Sequence, residues 1–250
     1  MTTRFSLWSG PRNVSTAVMY AFAQRPDTKV VDEPFYAHYL TVTGLHHPGR
    51  DLVIADQESD IDKVITDVVL APCDRSLLFM KQMAHHLVAV DHSFLAQTLN
   101  GLLIRDPAEV LRTLPNQIPK PTLRDTALPQ QVELYDELVG LGQKPSVVDA
   151  RELLLHPRWV LEALCDSIGV VFDEAMLSWS VGDRPEDGVW APFWYENVHQ
   201  STGFKPYRAK TSPFPAELEL LLEECRPYYD YLYERALRPD GRRSEGIRTQ

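Results

Sequence analysis

Apolar residues fall into two alternating patterns along this chain: short consecutive runs, and longer stretches in which they recur every three or four positions. The runs Arg4 to Trp8, Lys29 to Asp32, Ser76 to Met80 and Leu102 to Ile104 read as strands. Leu102, Leu103 and Ile104 are apolar at consecutive positions, the pattern of a parallel strand covered on both faces. Val14, Val18, Ala21 and Phe22 predict a helix that stops at Arg25-Pro26. Ile61, Val64, Ile65, Val68 and Val69 predict a packing helix within Gln57 to Leu70, and Pro129 to Leu141 and Arg158 to Ile168 read likewise. Strands alternating with helices imply right-handed crossovers and a doubly wound α/β fold: a three-layer sandwich with a central parallel sheet and ligands at the carboxyl ends of its strands.

The later chain is less periodic. Pro115 to Pro129 holds four prolines and reads as a long loop. Trp179 to Phe214 is loop-like and carries Trp190, Phe193, Trp194, Tyr195, Phe204 and Tyr207, rings that either fill the base of the domain or form a lid. A final helix from Pro215 is expected to be interrupted near Pro227. Residues 1–237 are thus expected to form a single domain, with Arg238 to Gln250 a mobile polar tail.

The first strand runs directly into Ser9-Gly10-Pro11-Arg12-Asn13-Val14-Ser15-Thr16 and a helix. Backbone N–H groups and the helix dipole favour an anion at such a turn. Arg12 supplies a positive charge there, and Ser15 and Thr16 supply hydroxyls. The bland alternative is that Ser15 merely caps the helix while Arg12 is solvated. A nucleoside-triphosphate loop would need Lys immediately before the hydroxyl residue, and Val14 stands there instead. A second anion-binding candidate follows the fourth strand. Asp106 is a natural N-cap and Pro107 a natural first residue for a short helix over Ala108 to Leu114, and neither explains Arg105. Thr113 lies eight positions after Arg105, on the face of the cap.

Composition sets limits. With 250 residues, 44% of them hydrophobic, the chain can bury one large core. A formal net charge of −10 argues against nucleic acid or an anionic membrane as partner, so a polyanionic ligand needs local positive charge. The first strand begins almost at once, which leaves no visible signal peptide, and no apolar stretch reaches the roughly eighteen residues of a spanning helix. Cys73, Cys165 and Cys225 lack metal spacing and suggest free thiols in the cytoplasm. The adjacent pairs His46-His47 and His85-His86 do not share a helix face, so no metal site is expected from either.

The first loop resembles the 5′-phosphosulfate loop of sulfotransferases that use 3′-phosphoadenosine 5′-phosphosulfate (PAPS): Pro11, Arg12, Ser15 and Thr16 match in register, while Asn13 and Val14 depart from the usual Ser-Gly pair. Arg105 and Thr113 are similar to the Arg and Ser that bind the 3′-phosphate in that family. Ser146 to Leu154, followed by His156-Pro157, resembles the family's late strand and next helix, although Asp149 or Ala150 replaces an adenine-stacking Tyr. The resemblance spans Arg4 to Trp179 and implies a P-loop NTPase-like fold, PAPS as cofactor and a small-molecule acceptor. It implies a cofactor site built from Gly10, Pro11, Arg12, Asn13, Val14, Ser15, Thr16, Arg105 and Thr113, with Lys205 and Arg208 of a late basic loop. It also implies Glu33 after the second strand as the base, His85 or His86 as competing bases, and a role for Lys81 at the end of the third strand. A structural alternative pairs Glu33 with Arg12. Two other functions stay open: a kinase or NTPase using Asp149 for magnesium, and a nucleotide-binding module without chemistry. Neither the acceptor nor the oligomeric state is legible.

Overall fold

A computed structural model describes residues 2–239. Five strands form one sheet: β1 (Thr3–Ser9), β2 (Thr28–Asp32), β3 (Leu77–Met83), β4 (Leu99–Ile104) and β5 (Ser146–Asp149). Their order is β2-β3-β1-β4-β5, and every pair is parallel. Parallel pairing requires a crossover between strands, and helices α1 (Ser15–Ala23), α2 (Tyr36–Thr43), α3 (Arg50–Asp56), α4 (Ile61–Val64), α5 (Pro107–Leu111), α6 (Leu128–Gly140), α7 (Ala150–Leu155), α8 (Pro157–Ser167), α9 (Ala191–Trp194), α10 (Glu196–His199) and α11 (Glu219–Tyr233) supply most of the connections and covering layers.

Side-chain alternation along each strand divides the core between two faces. Trp8, Met80, Leu102 and Ile104 pack with Leu134 and Leu138 of α6 and with Tyr229 and Leu232 of α11. Phe5, Leu7, Phe79 and Leu103 pack with Phe22 of α1 and Leu161 of α8, and Phe22 stacks on Phe79 with ring centroids 4.2 Å apart. The doubly wound parallel α/β architecture expected from the sequence is the one observed.

Three local expectations are corrected. The third strand extends two residues beyond Lys81, because Gln82 and Met83 still pair with Trp8 and Ser9. The stretch between Gln57 and Leu70 is shorter than a full helix, with α4 passing into a π turn over Ile65–Val69. Pro227 does not interrupt the last helix, which runs unbroken from Glu219 to Tyr233. Its cost of about 3 kcal/mol is opposed by burial of Cys225, Tyr229 and Leu232 and by three tyrosine hydroxyl bonds: Tyr229 to Asp149, Tyr231 to Asp136 and Tyr233 to Glu152. Beyond that helix, Leu237 N donates to Val147 O at 2.8 Å, so Ala236 and Leu237 extend the sheet past β5. The tail expected over 238–250 lies, from residue 240 onward, outside the described residues.

Asp149 closes β5 and caps α7, accepting from the backbone N–H groups of Arg151 and Glu152. Burial pushes its carboxyl up to about 6, against these donors and Tyr229. A folded-state pKa above the unfolded value means that the native state holds this proton more tightly. The corresponding stability is present below about pH 4 and is lost as pH rises through about 6. Asp149→Asn should therefore gain on the parent chain by about 3 kcal/mol between pH 4 and pH 7. Urea denaturation at several pH values measures this, and a pH-independent difference would remove Asp149 as the source.

Candidate active site

Between β1 and α1 the chain turns through residues 10–14. Gly10 is required by close approach, since a Cβ there would lie 2.7 Å from the carbonyl oxygen of Thr126. Arg12 adopts the left-handed conformation (φ 57°), an uncommon one for a residue with a side chain. Asn13 secures the turn, its Nδ2 donating to Leu103 O at 2.9 Å while its Oδ1 accepts from Val14 N at 2.8 Å. Val14, not Ser15, occupies the N-cap position of α1, with no side-chain cap and no acidic residue in the first turn. The first N–H groups of this nine-residue helix are thereby left to an anion in front of them.

The second anion-binding candidate meets the first. Asp106 caps α5 through Ala108 N, with Pro107 at its start as the sequence predicts. Arg105, just after β4, donates to the carbonyl oxygen of Arg12 at 2.7 Å and pairs with Glu109 at 3.0 Å. Arg12 Nε donates to Thr113 Oγ1 at 3.3 Å. Arg12, Arg105 and Thr113 thus form one cluster through Arg12, although they come from separate motifs. Beside it lies a cleft of about 470 Å³ bounded by Arg105, Glu109, Leu154 and the late segment from Lys205 to Lys210. Both Lys205 and Arg208 line it. Lys210, passed over in the sequence reading, lines it too; burial lowers its pKa, followed by repulsion from Arg105 and, more weakly, Arg112 and Arg12. Arg12 is likewise lowered by burial and by Arg105. Both shifts place positive charge from more than one side chain at this end of the sheet.

On the other side of β1, the structure builds a buried ionic network. Lys81 is 2% exposed and its ammonium donates to Asp32 Oδ1 at 2.8 Å, Glu33 Oε1 at 2.5 Å and the Tyr195 hydroxyl at 2.7 Å. Register explains the first bond, since Asp32 pairs with Lys81 across β2 and β3. Burial works against the Lys81 charge, but Asp32 and Glu33 more than offset it and hold its pKa well above the ordinary value. Burial raises the Glu33 carboxyl, Lys81 opposing and Asp32 adding to the effect. Glu33 also has φ 41°, a second left-handed residue at this end of the sheet. Its ionic partner is Lys81, which replaces the alternative pairing with Arg12. All three Lys81 N–H groups are engaged within this network, so a direct reach to a ligand is not built into this arrangement.

His85 and His86 follow in a short 3₁₀ turn, Ala84–His86. His86 stacks on Tyr36 and Tyr39, with ring centroids 5.0 and 4.5 Å away, and His85 meets Tyr39 edge-on. Burial pushes His85 down to about 4 and His86 well below the ordinary range, so both imidazoles are neutral and weakly basic at neutral pH. Asp149, the magnesium carboxylate of the kinase alternative, is fully buried and occupied in capping α7. Among the described residues, no group of three or more His, Cys, Asp or Glu is arranged to hold a metal ion.

A sequence profile described as a sulfotransferase domain matches residues 3–236, and the chain belongs to that family. Two curated relatives from Arabidopsis thaliana, branched-chain-amino-acid aminotransferase-like proteins 2 and 1, are 37% and 38% identical over 226 residues. The match covers 90% of this chain and 40% of each relative, so the chain spans well under half the length of these proteins. Among solved structures, the sulfotransferase domain from the curacin biosynthetic pathway superposes with a TM-score of 0.50 at 17% identity, covering 90% of this chain and 98% of that one; this likeness concerns the fold.

The buried network makes a stability prediction. Lys81→Met leaves Asp32 and Glu33 buried without their cation and should cost about 3–5 kcal/mol at neutral pH. Acidification protonates the stranded carboxylates, so the loss should shrink toward pH 4. Denaturant titration at the two pH values checks this, and an equal loss at both would mean that packing, not charge, is what Lys81 contributes.

Proposed function

We propose that the protein transfers a sulfuryl group from PAPS to a hydroxyl or amine of a small-molecule acceptor. The observation that carries this reading is the convergence of Arg12, Arg105 and Thr113 at the uncapped start of α1, with Lys205, Arg208 and Lys210 lining the adjoining cleft. The donor set fits a ligand with anionic groups at two ends. Arg12, the N–H groups of Ser15 and Thr16 and their hydroxyls would hold the 5′-phosphosulfate, with Gly10, Pro11, Asn13 and Val14 shaping the turn. Arg105, Thr113, Lys205 and Arg208 would hold the 3′-phosphate, assisted by Lys210. When bound, PAPS supplies the sulfuryl group and a phosphate leaving group. No metal is required, because the cations and amides already face the anionic groups.

Glu33 is the base in this reading. Burial raises its carboxyl pKa, which makes the ionised carboxylate a stronger proton acceptor than an ordinary one. His85 and His86 are moved the other way, which supports a role for them in lining the acceptor side with Tyr36 and Tyr39. Glu33 takes the proton from the acceptor oxygen or nitrogen as the bond to sulfur forms, and Lys81 acts from behind Glu33. Three free thiols support a cytoplasmic setting.

Two measurements test the reading. Arg105→Ala loses both its reach toward the cleft and its hold on the Arg12 carbonyl, so adenosine 3′,5′-bisphosphate and adenosine 5′-phosphate should both bind more weakly. The bisphosphate should lose about 1.5–3 kcal/mol more, the worth of a charge-assisted bond. Calorimetry resolves the difference; equal losses, or preferential binding of magnesium ATP by the parent chain, would overturn the assignment. Glu33→Gln preserves size while removing basicity, and should lower turnover of radiolabelled PAPS against an acceptor panel by about two to four powers of ten with cofactor affinity retained. A nearly silent Glu33→Gln beside an inactive His85→Ala or His86→Ala would transfer the role to the histidines.

A further inference from the structure

The side chain that completes the Lys81 network comes from the aromatic segment far along the chain. Tyr195 lies between α9 and α10, is 5% exposed, and accepts from Lys81 at 2.7 Å and from Trp190 Nε1 at 3.1 Å. With both acceptor positions used, its own proton goes to Asp32 Oδ2 at 2.6 Å. The hydroxyl thereby bridges the ammonium and the carboxylate that compete for each other, and leaves Glu33 as the one member of the group at the edge of the buried region.

We propose that Tyr195 is a positioning residue: by bridging Lys81 and Asp32 it fixes the ammonium group against Glu33 and so sets the proton affinity of that carboxylate. The inference rests on the reading of Glu33 as the base. Its support is geometric. Lys81, Asp32, Glu33, Tyr195 and Trp190 share five hydrogen bonds, a set that closes only if the hydroxyl proton points at Asp32, and Trp190 enforces that direction by occupying the other side of the oxygen. Trp190 is itself fixed, packed edge-on against Tyr36 and lying against Gly188, where any Cβ would overlap the indole. The whole segment is tied back to α1 because Asp187 accepts from the Tyr20 hydroxyl at 2.6 Å and bonds His199 at 2.9 Å.

Other titratable groups surround the cluster without replacing Tyr195. Tyr36 faces Glu33 from α2, Tyr20 faces Asp32 from α1, His86 faces Lys81 from the turn after β3, and the His199 ring meets the Tyr195 ring from α10. Of these, no hydrogen bond joins any to Lys81, Asp32 or the Glu33 carboxylate among the described residues. Removing the Tyr195 hydroxyl leaves Asp32 short of a donor and makes it the stronger competitor for the ammonium. Lys81 is then drawn toward Asp32 and away from Glu33, which holds its proton to higher pH.

Carboxyl-13C glutamate labelling of the whole chain provides the readout, with the Glu33 resonance identified as the one that disappears in Glu33→Gln. Tyr195→Phe should raise the Glu33 titration midpoint by about one pH unit, while adenosine 3′,5′-bisphosphate still binds. Trp190→Phe, which removes the steering donor and part of the buried ring, should shift it in the same direction by less, and it decides the matter if Tyr195→Phe does not fold. An unchanged or lowered midpoint in a folded variant overturns the proposal, even where thermal stability falls. Because the titration needs no turnover, it stands apart from the kinetic test of Glu33: a silent Glu33→Gln would remove the base, while a shifted midpoint would still place Tyr195 in control of that carboxylate.

Discussion

One ammonium group, buried between two carboxylates, is what the β2-β3 end of this sheet depends on. Isolated charges of this kind are expensive to bury, and the cost falls only when partners and hydrogen bonds are complete. Lys81 meets that condition, with each of its protons directed at a different oxygen. Its partners come from the end of the adjacent strand β2 and from a segment more than a hundred residues later, so the network can form only when the sheet and the aromatic segment are both in place. Folding and assembly of the site are in this sense one event.

The cluster around the turn between β1 and α1 is built on the opposite electrostatic logic. Where Lys81 is saturated by opposite charge, Arg12 and Lys210 are lowered by burial and then by the nearby charge of Arg105. Arg105 itself is tied to the carbonyl of Arg12 and paired with Glu109, which retains it at the cleft. A sheet with β1 at its centre separates the two environments by the width of one or two strands, an attractive pair on the β2-β3 side and a repulsive cluster toward β4.

Much of this was legible in the sequence because local chemistry determined it. Asp106 and Pro107 open a helix wherever a strand delivers them, and Val14, Val18, Ala21 and Phe22 carry the helix that follows the first turn. Helices α2 and α3 were not legible: α2 has no side-chain cap, and its end is marked only by Gly44 in the left-handed region. Lys81 looked like the close of a strand, yet ladder pairing to β1 carries the strand on through Gln82 and Met83. Tyr195 was seen only as one ring among several, since nothing near it in sequence indicates a buried lysine 114 positions away. Composition identifies an aromatic segment; only tertiary structure distinguishes the hydroxyl that bridges two charges from the rings that fill space.

The bond from Arg105 to the carbonyl of Arg12 has a further consequence. A guanidinium that faces one end of a cleft while gripping the backbone of the turn at the other end couples the two mechanically. Under the proposed reading, a donor lacking the group that Arg105 recognises would be held by a turn free to shift, and displacements of about an ångström at a reacting centre can cost a hundredfold in rate. Discrimination between donors would then be exercised in alignment as well as in affinity, and a poor donor would be bound and yet seldom used.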